Sequence, residues 1–148
     1  MCVRVDDLAE YVVTKCTRDN RPVSNLHLQK MLYFLQYVHA KQTGGKLLFD
    51  EEFEAWPYGP VMRDVYVRYS RYGGRPIEEL GDSTIHMSKP LRSFVDAGIE
   101  SMRERSPWDF VRLSHAPGSP WERIYQDGRG NGNVIPNDMI VRNATGRD

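Results

Sequence analysis

Residues Val23 to Gly45 read VSNLHLQKMLYFLQYVHAKQTGG, and the spacing of their apolar side chains decides the fold class. Ser24 can accept a hydrogen bond from a free N–H of an opening helix, and Val23 and Leu28 occupy the two positions of a hydrophobic staple. Gly44 and Gly45 supply the stop. Advancing about 100° per residue, Leu28, Met31, Leu32, Phe34, Leu35 and Val38 fill one broad arc. Gln29, Lys30, Tyr33, Gln36 and Tyr37 fall on the opposite face. So wide an apolar arc predicts the central helix of a bundle. His39 projects among the leucines and is expected as a core or boundary residue.

Upstream, Asp7 and Glu10 have capping-box spacing, and Leu8, Val12 and Cys16 recur every fourth position. A first helix is therefore predicted to open near Asp7 and to end at the turn Arg18–Pro22. Downstream, the acids Asp50, Glu51, Glu52 and Glu54 suggest a solvated turn. Phe53 and Ala55 alternate with Glu54 and Trp56, which predicts a short strand over Phe53–Trp56, halted by Pro57. Pro60 suits the first turn of a helix, where its missing N–H costs nothing. Val61, Val65, Tyr69 and Tyr72 continue at helical spacing as far as Gly73-Gly74.

A further short strand is expected at Thr84–Met87. A helix follows the Ser88 cap, with Leu91, Phe94, Val95, Ile99 and Met102 in one stripe and Gly98 permitting close packing. The tetrapeptides SPWD (Ser106–Asp109) and SPWE (Ser119–Glu122) each combine a serine cap, a proline at the first helical position and an acid two residues on. They read as two independent helix starts. Val134-Ile135 can form a short strand, and Pro136-Asn137-Asp138 can open a brief helix. The expectation is a mainly α, compact domain of five or six helices spanning residues 1–148, with a small β element near Phe53–Trp56. The tail from about residue 127 is expected to be partly flexible.

Composition excludes several functions. The 20 basic and 20 acidic side chains cancel, which argues against a nucleic-acid partner. Cys2 and Cys16 lack metal-ligand spacing, so neither a zinc site nor any other metal or cofactor is expected. The charged N-terminal run and the lack of roughly 20 consecutive apolar residues predict a soluble, cytoplasmic chain without a membrane partner. Catalysis finds no support. Ser114 and His115 are adjacent in sequence, but no orienting acid is evident. The segment Arg63–Arg75 interleaves Arg63, Arg68, Arg71 and Arg75 with Tyr66, Tyr69 and Tyr72. It is the one candidate for nucleic acid, although a buried tyrosine stripe under snorkelling arginines explains it more simply.

Three blocks carry a family resemblance. VSNLHLQKMLYFLQ (Val23–Gln36), FEAWPYGPVMRDVY (Phe53–Tyr66) and VRLSHAPGSPWERIY (Val111–Tyr125) resemble, in order, the signatures of the Panacea domain. That is the SocA-like antitoxin domain, also labelled phage-associated or GepA. The resemblance implies a mainly helical, non-enzymatic domain that neutralises a cognate protein toxin by direct binding in a toxin–antitoxin pair. Some relatives are linked to delivering the toxin to a protease.

A nucleic-acid-binding regulator using Arg63–Arg75 is the alternative. The block residues Gln29, Lys30, Tyr33, Gln36, Trp56, Tyr58, Gly59, Pro60, His115 and Trp121 are the candidate cluster, as a structural corner first and a partner surface second. In this reading Gln29, Tyr33 and Gln36 supply polar groups that bond the backbone freed at the Pro57–Pro60 corner.

Overall fold

The computed structural model describes residues 2–81 and 85–148. In chain order the elements are α1 (Val5–Arg18), α2 (Asn25–Thr43), β1 (Phe53–Trp56), β2 (Gly59–Val61), α3 (Arg63–Arg68), α4 (Lys89–Met102), α5 (Pro107–Ser114), α6 (Pro120–Tyr125), β3 (Val134–Ile135) and α7 (Asn137–Thr145). That makes seven α-helices among the described residues, against the five or six expected. None of them is long and apolar enough to cross a membrane.

Helix α2 is the axis. Ser24 Oγ accepts from His27 N at 3.2 Å, and Gly44 closes the helix in the left-handed region. Helices α1, α3, α4, α5 and α7 and strand β2 all pack on it. It is therefore buried on both arcs: Leu28, Met31, Leu32 and Leu35 on one side, and Gln29, Lys30, Tyr33 and Gln36 on the other. A polar face sealed this way needs internal partners. Those partners are the backbone of the segment around the small sheet.

The predicted capping box at Asp7 does not form. Helix α1 begins earlier, at Val5, and its Arg4 cap makes no side-chain bond. Glu51 Oε2 accepts from Val5 N at 3.2 Å instead, and Glu52 Oε2 accepts from Asn137 N, the first residue of α7, at 2.9 Å. The acidic run is thus no idle solvated turn. Its carboxylates sit at the positive ends of two helices, where orphan N–H groups await acceptors.

The sheet is antiparallel in the order β2-β1-β3. A two-residue turn, Pro57-Tyr58, joins β1 to β2 with Ala55 opposite Pro60, and Phe53 lies opposite Ile135 of β3. The strand predicted at Phe53–Trp56 is present. Pro60, however, lies in β2 and not at a helix start. An edge strand tolerates its missing donor as well as a first helical turn does. Helix α3 opens only at Arg63 and ends at Arg68, before a separate 3₁₀ turn at Ser70–Tyr72. Val61, Val65 and Tyr69 are nonetheless buried, as their spacing suggested.

Ser88, Ser106 and Ser119 each cap a helix through the side chain, and Pro107 and Pro120 open α5 and α6. The two SPW tetrapeptides are helix starts. Gly98 lets α4 approach α2: a Cβ there would stand 2.7 Å from Leu35 Cδ2. Of the strand expected at Thr84–Met87, Thr84 lies outside the described residues and Ile85–Met87 is not in a strand. The segment from about residue 127 holds β3 and α7, with Ile135, Ile140 and Ala144 buried.

Candidate partner-binding site

The β1–β2 hairpin meets the polar arc of α2 and the start of α6. Gln29 Oε1 accepts from Met62 N at 2.8 Å, and Gln29 Nε2 donates to Asn25 Oδ1 at 3.0 Å. Lys30 Nζ donates to Pro60 O at 2.8 Å. Trp121 Nε1, from α6, donates to Trp56 O at 2.7 Å. Three side chains thus answer three backbone groups of one turn. Gly59, at φ 110°, passes so close that a Cβ would lie 2.6 Å from Ser114 Oγ and 3.1 Å from Lys30 Cε. Glycine is required there by both conformation and space.

Gln36 works one end further along α2. Its Oε1 accepts from Leu48 N at 2.7 Å and Phe49 N at 3.3 Å, and its Nε2 donates to Phe49 O at 2.8 Å. Tyr33 is buried edge-on to Phe53, with ring centroids 5.4 Å apart, and burial pushes its phenol well above the ordinary range. His115 lies flat on Trp121, centroids 3.7 Å apart and planes within 2°, and Tyr125 stacks on the far face at 4.6 Å. Burial lowers the His115 pKa, and the neighbouring Lys30 lowers it further.

Gln29, Lys30, Trp56, Gly59, Pro60, His115 and Trp121 therefore come together around the hairpin, while Tyr33 and Gln36 anchor the approach to β1. Tyr58 points the other way. Its ring is 58% exposed and packs edge-on against Trp108 of α5, itself 47% exposed, with centroids 5.2 Å apart. Trp56 pairs likewise with Tyr66 at 5.0 Å and donates from Nε1 to Glu54 Oε1. These rings line a groove of about 560 Å³ together with Leu26 and Pro57, and among the described residues no charged side chain lines it. An adjoining hollow shares Trp56, Pro57 and Tyr66 and adds Val67 and the charged Glu54 and Arg63.

Trp108, Tyr66 and Ser114 were absent from the candidate cluster. A tryptophan just after the Ser106-Pro107 helix start is the available signal for Trp108. Ser114 belongs to the third block and stands beside His115, but nothing local marks its contact with Gly59 of a distant segment.

The Arg63–Arg75 segment is not one helix. It divides between α3 and the 3₁₀ turn, Arg68 pairs with Glu10 at 2.7 Å, and Arg71 pairs with Glu79. Tyr69 is buried, whereas Tyr66 belongs to the aromatic groove. Ser114 Oγ donates to Val111 O within its own helix, so no hydrogen-bonded Ser–His pair is assembled. Among the described residues no three His, Cys, Asp or Glu side chains converge as a metal site needs.

The family model described as "Antitoxin SocA-like, Panacea domain" matches residues 28–122, a range that runs from the core of α2 to the first turn of α6. The chain belongs to that family. It is also 34% identical over 130 residues to the protein named Antitoxin SocA from Caulobacter vibrioides (strain NA1000 / CB15N), covering 79% of this chain and 68% of that protein. No solved structure matches it. Within this Panacea domain, every residue of the hairpin cluster lies inside the matched range, and so do Trp108 and Tyr66.

Proposed function

We propose that this chain is an antitoxin that neutralises a protein toxin by direct binding, and that the groove between Tyr58, Trp108 and Tyr66 is the face it presents. The family membership carries the first part. The second rests on the exposed rings. Tryptophan and tyrosine dominate protein–protein hot spots because they bury large area at small entropic cost. A charge-free aromatic lining suits an apolar segment of a toxin. Two prolines, Pro57 and Pro107, and the bonds to Gln29 and Trp121 hold the rings in place before any partner arrives. Such order reduces the entropy lost on binding.

The test is affinity co-purification of the tagged chain from its native host at moderate salt, followed by co-expression of whatever small protein is retained. A stoichiometric partner that stops growth alone and is harmless with this chain supports the reading. Recovery of nucleic acid alone, lost as salt rises, overturns it. The toxin's half-life then separates two modes. Unchanged half-life with restored growth means blockade, and a shortened half-life means delivery to a protease.

A further inference from the structure

Of the three side chains that hold the hairpin from below, two are neutral. The third is an amine. Lys30 is fully buried, and Pro60 O is its one hydrogen-bond acceptor among the described residues. An ammonium has three donors to satisfy. Gly59 closes over it: a Cβ at that position would stand 3.2 Å from Nζ.

A second base lies alongside. His115 Nε2 is buried without a hydrogen-bond partner, and the ring is pinned against Trp121. The carboxylates of the adjoining elements are engaged elsewhere. Glu54 of β1 accepts from Trp56, Asp109 of α5 pairs with Arg105 and Arg112, and Glu122 of α6 accepts from Gly118 N. On α2 itself the titratable neighbours are His27, whose Nε2 is hydrogen-bonded with Met102 O and whose pKa burial lowers, and Tyr33, whose phenol burial keeps neutral. Two bases thus lie near one another, the amine enclosed and the imidazole half-buried, with no counter-ion bonded to either among the described residues.

We propose that Lys30 and His115 form an acid-sensitive latch on the β1–β2 hairpin. While both are uncharged, the hairpin closes on the core and sets Tyr58 and Trp56 in the aromatic groove. A proton on the amine leaves a buried charge with one acceptor, a costly arrangement. The ammonium then reaches water by displacing the Gly59-Pro60 backbone above it. Burial lowers the Lys30 pKa to about 7, and burial, then the charged amine, holds that of His115 below its ordinary value. A proton on the amine therefore disfavours one on the imidazole. This latch is a property of the free chain and does not depend on whether the groove docks a toxin.

The experiment is a series of ¹H–¹⁵N spectra of the partner-free chain across neutral pH. The amides of Tyr58, Gly59 and Met62 and the indole N–H of Trp121 are expected to move together, with a midpoint near the Lys30 value of about 7. The amides of Val12 and Val95, in α1 and α4, are expected to stay still. Lys30→Met abolishes that transition and raises the pKa of His115. His115→Gln keeps it and removes the imidazole's own step. Hairpin amides that stay flat through this window, or that titrate equally in Lys30→Met, overturn the proposal. Where Lys30→Met does not fold, the ¹³Cε shift of Lys30 in the unaltered chain decides. A midpoint at the ordinary lysine value, about 10.4, overturns it equally.

Discussion

Gly59 and Ser114 touch: a methyl group on Gly59 would stand 2.6 Å from the Ser114 hydroxyl oxygen, well inside van der Waals contact. The residues are far apart in sequence, and this contact sets how closely α5 can approach the hairpin. Gly59→Ala should lose about 3 kcal/mol, combining a side chain at positive φ with an overpacked contact. Urea unfolding would measure it. In a Ser114→Ala background the same substitution should cost less, because the clash with the hydroxyl is removed and the backbone strain and the tight contact with Lys30 remain. Equal losses in both backgrounds would show that the contact is not what makes glycine necessary.

Gln36 serves three backbone groups at once, Leu48 N, Phe49 N and Phe49 O. Gln36→Leu has nearly the same bulk but leaves them buried and unpaired, at about 1–3 kcal/mol for each group that finds no water. A total loss near 3 kcal/mol is expected. Gln42→Leu, at an exposed position of the same helix, should stay within about 0.5 kcal/mol. Thermal unfolding of the two variants side by side makes the comparison.

The contribution of Lys30 to stability should rise with pH above neutrality. Lys30 has a folded-state pKa of about 7, while the unfolded chain binds that proton up to about pH 10.4. Between these values the unfolded state holds more protons than the folded one, so alkali favours folding. The slope approaches about 1.4 kcal/mol per pH unit inside the window and vanishes below its lower edge. The stabilisation is complete above the unfolded pKa and lost as pH falls through the folded one. In Lys30→Met the slope from this residue should disappear, as denaturant titrations at several pH values would reveal.

The aromatic groove separates binding from folding. Tyr58 and Trp108 are about half exposed and meet edge to edge. Alanine at either should weaken capture of the toxin by roughly 10- to 100-fold, the scale of a hot-spot residue. The unfolding midpoint should hardly move. Combined, the two losses should be less than additive, because removing one ring unseats the other. Trp121→Phe should behave oppositely. It orphans Trp56 O in a half-buried place, lowering stability by about 1 kcal/mol.

Much of this architecture was legible because its signals are local. Ser24, Ser88, Ser106 and Ser119 cap the helices their positions announce, and the alternation at Phe53–Trp56 is a real strand. The misreadings share one cause, which is distance along the chain. Asp7 had capping-box spacing, but Glu51 reached Val5 first. Pro60 fits an edge strand as well as a helix start, and only pairing with Ala55 decides between them. The polar arc of α2 reads as one face of a helix; of its members Gln29 does bond backbone beside the corner, at Met62 N, whereas Gln36 bonds Leu48 and Phe49 instead and Tyr33 packs on Phe53. That Lys30 would be fully enclosed required knowing that α5 and the hairpin close over it. The hairpin cluster was visible as sequence blocks. Trp108 was not part of it, because its pairing with Tyr58 joins two segments with nothing in common but the space they share.

Strand β3 has a bearing on synthesis. It completes the far edge of β1, yet Ile135 is made long after the Phe53 it faces. At typical rates of about 5–20 residues per second, β1 waits on the order of 4–16 seconds at the ribosome for its second neighbour. Glu52 waits as long for the Asn137 amide it caps, and the buried side of α2 for Ile140. During that interval the newborn chain exposes an unpaired strand and an apolar helix face together, the conditions under which chaperones and proteases compete for it.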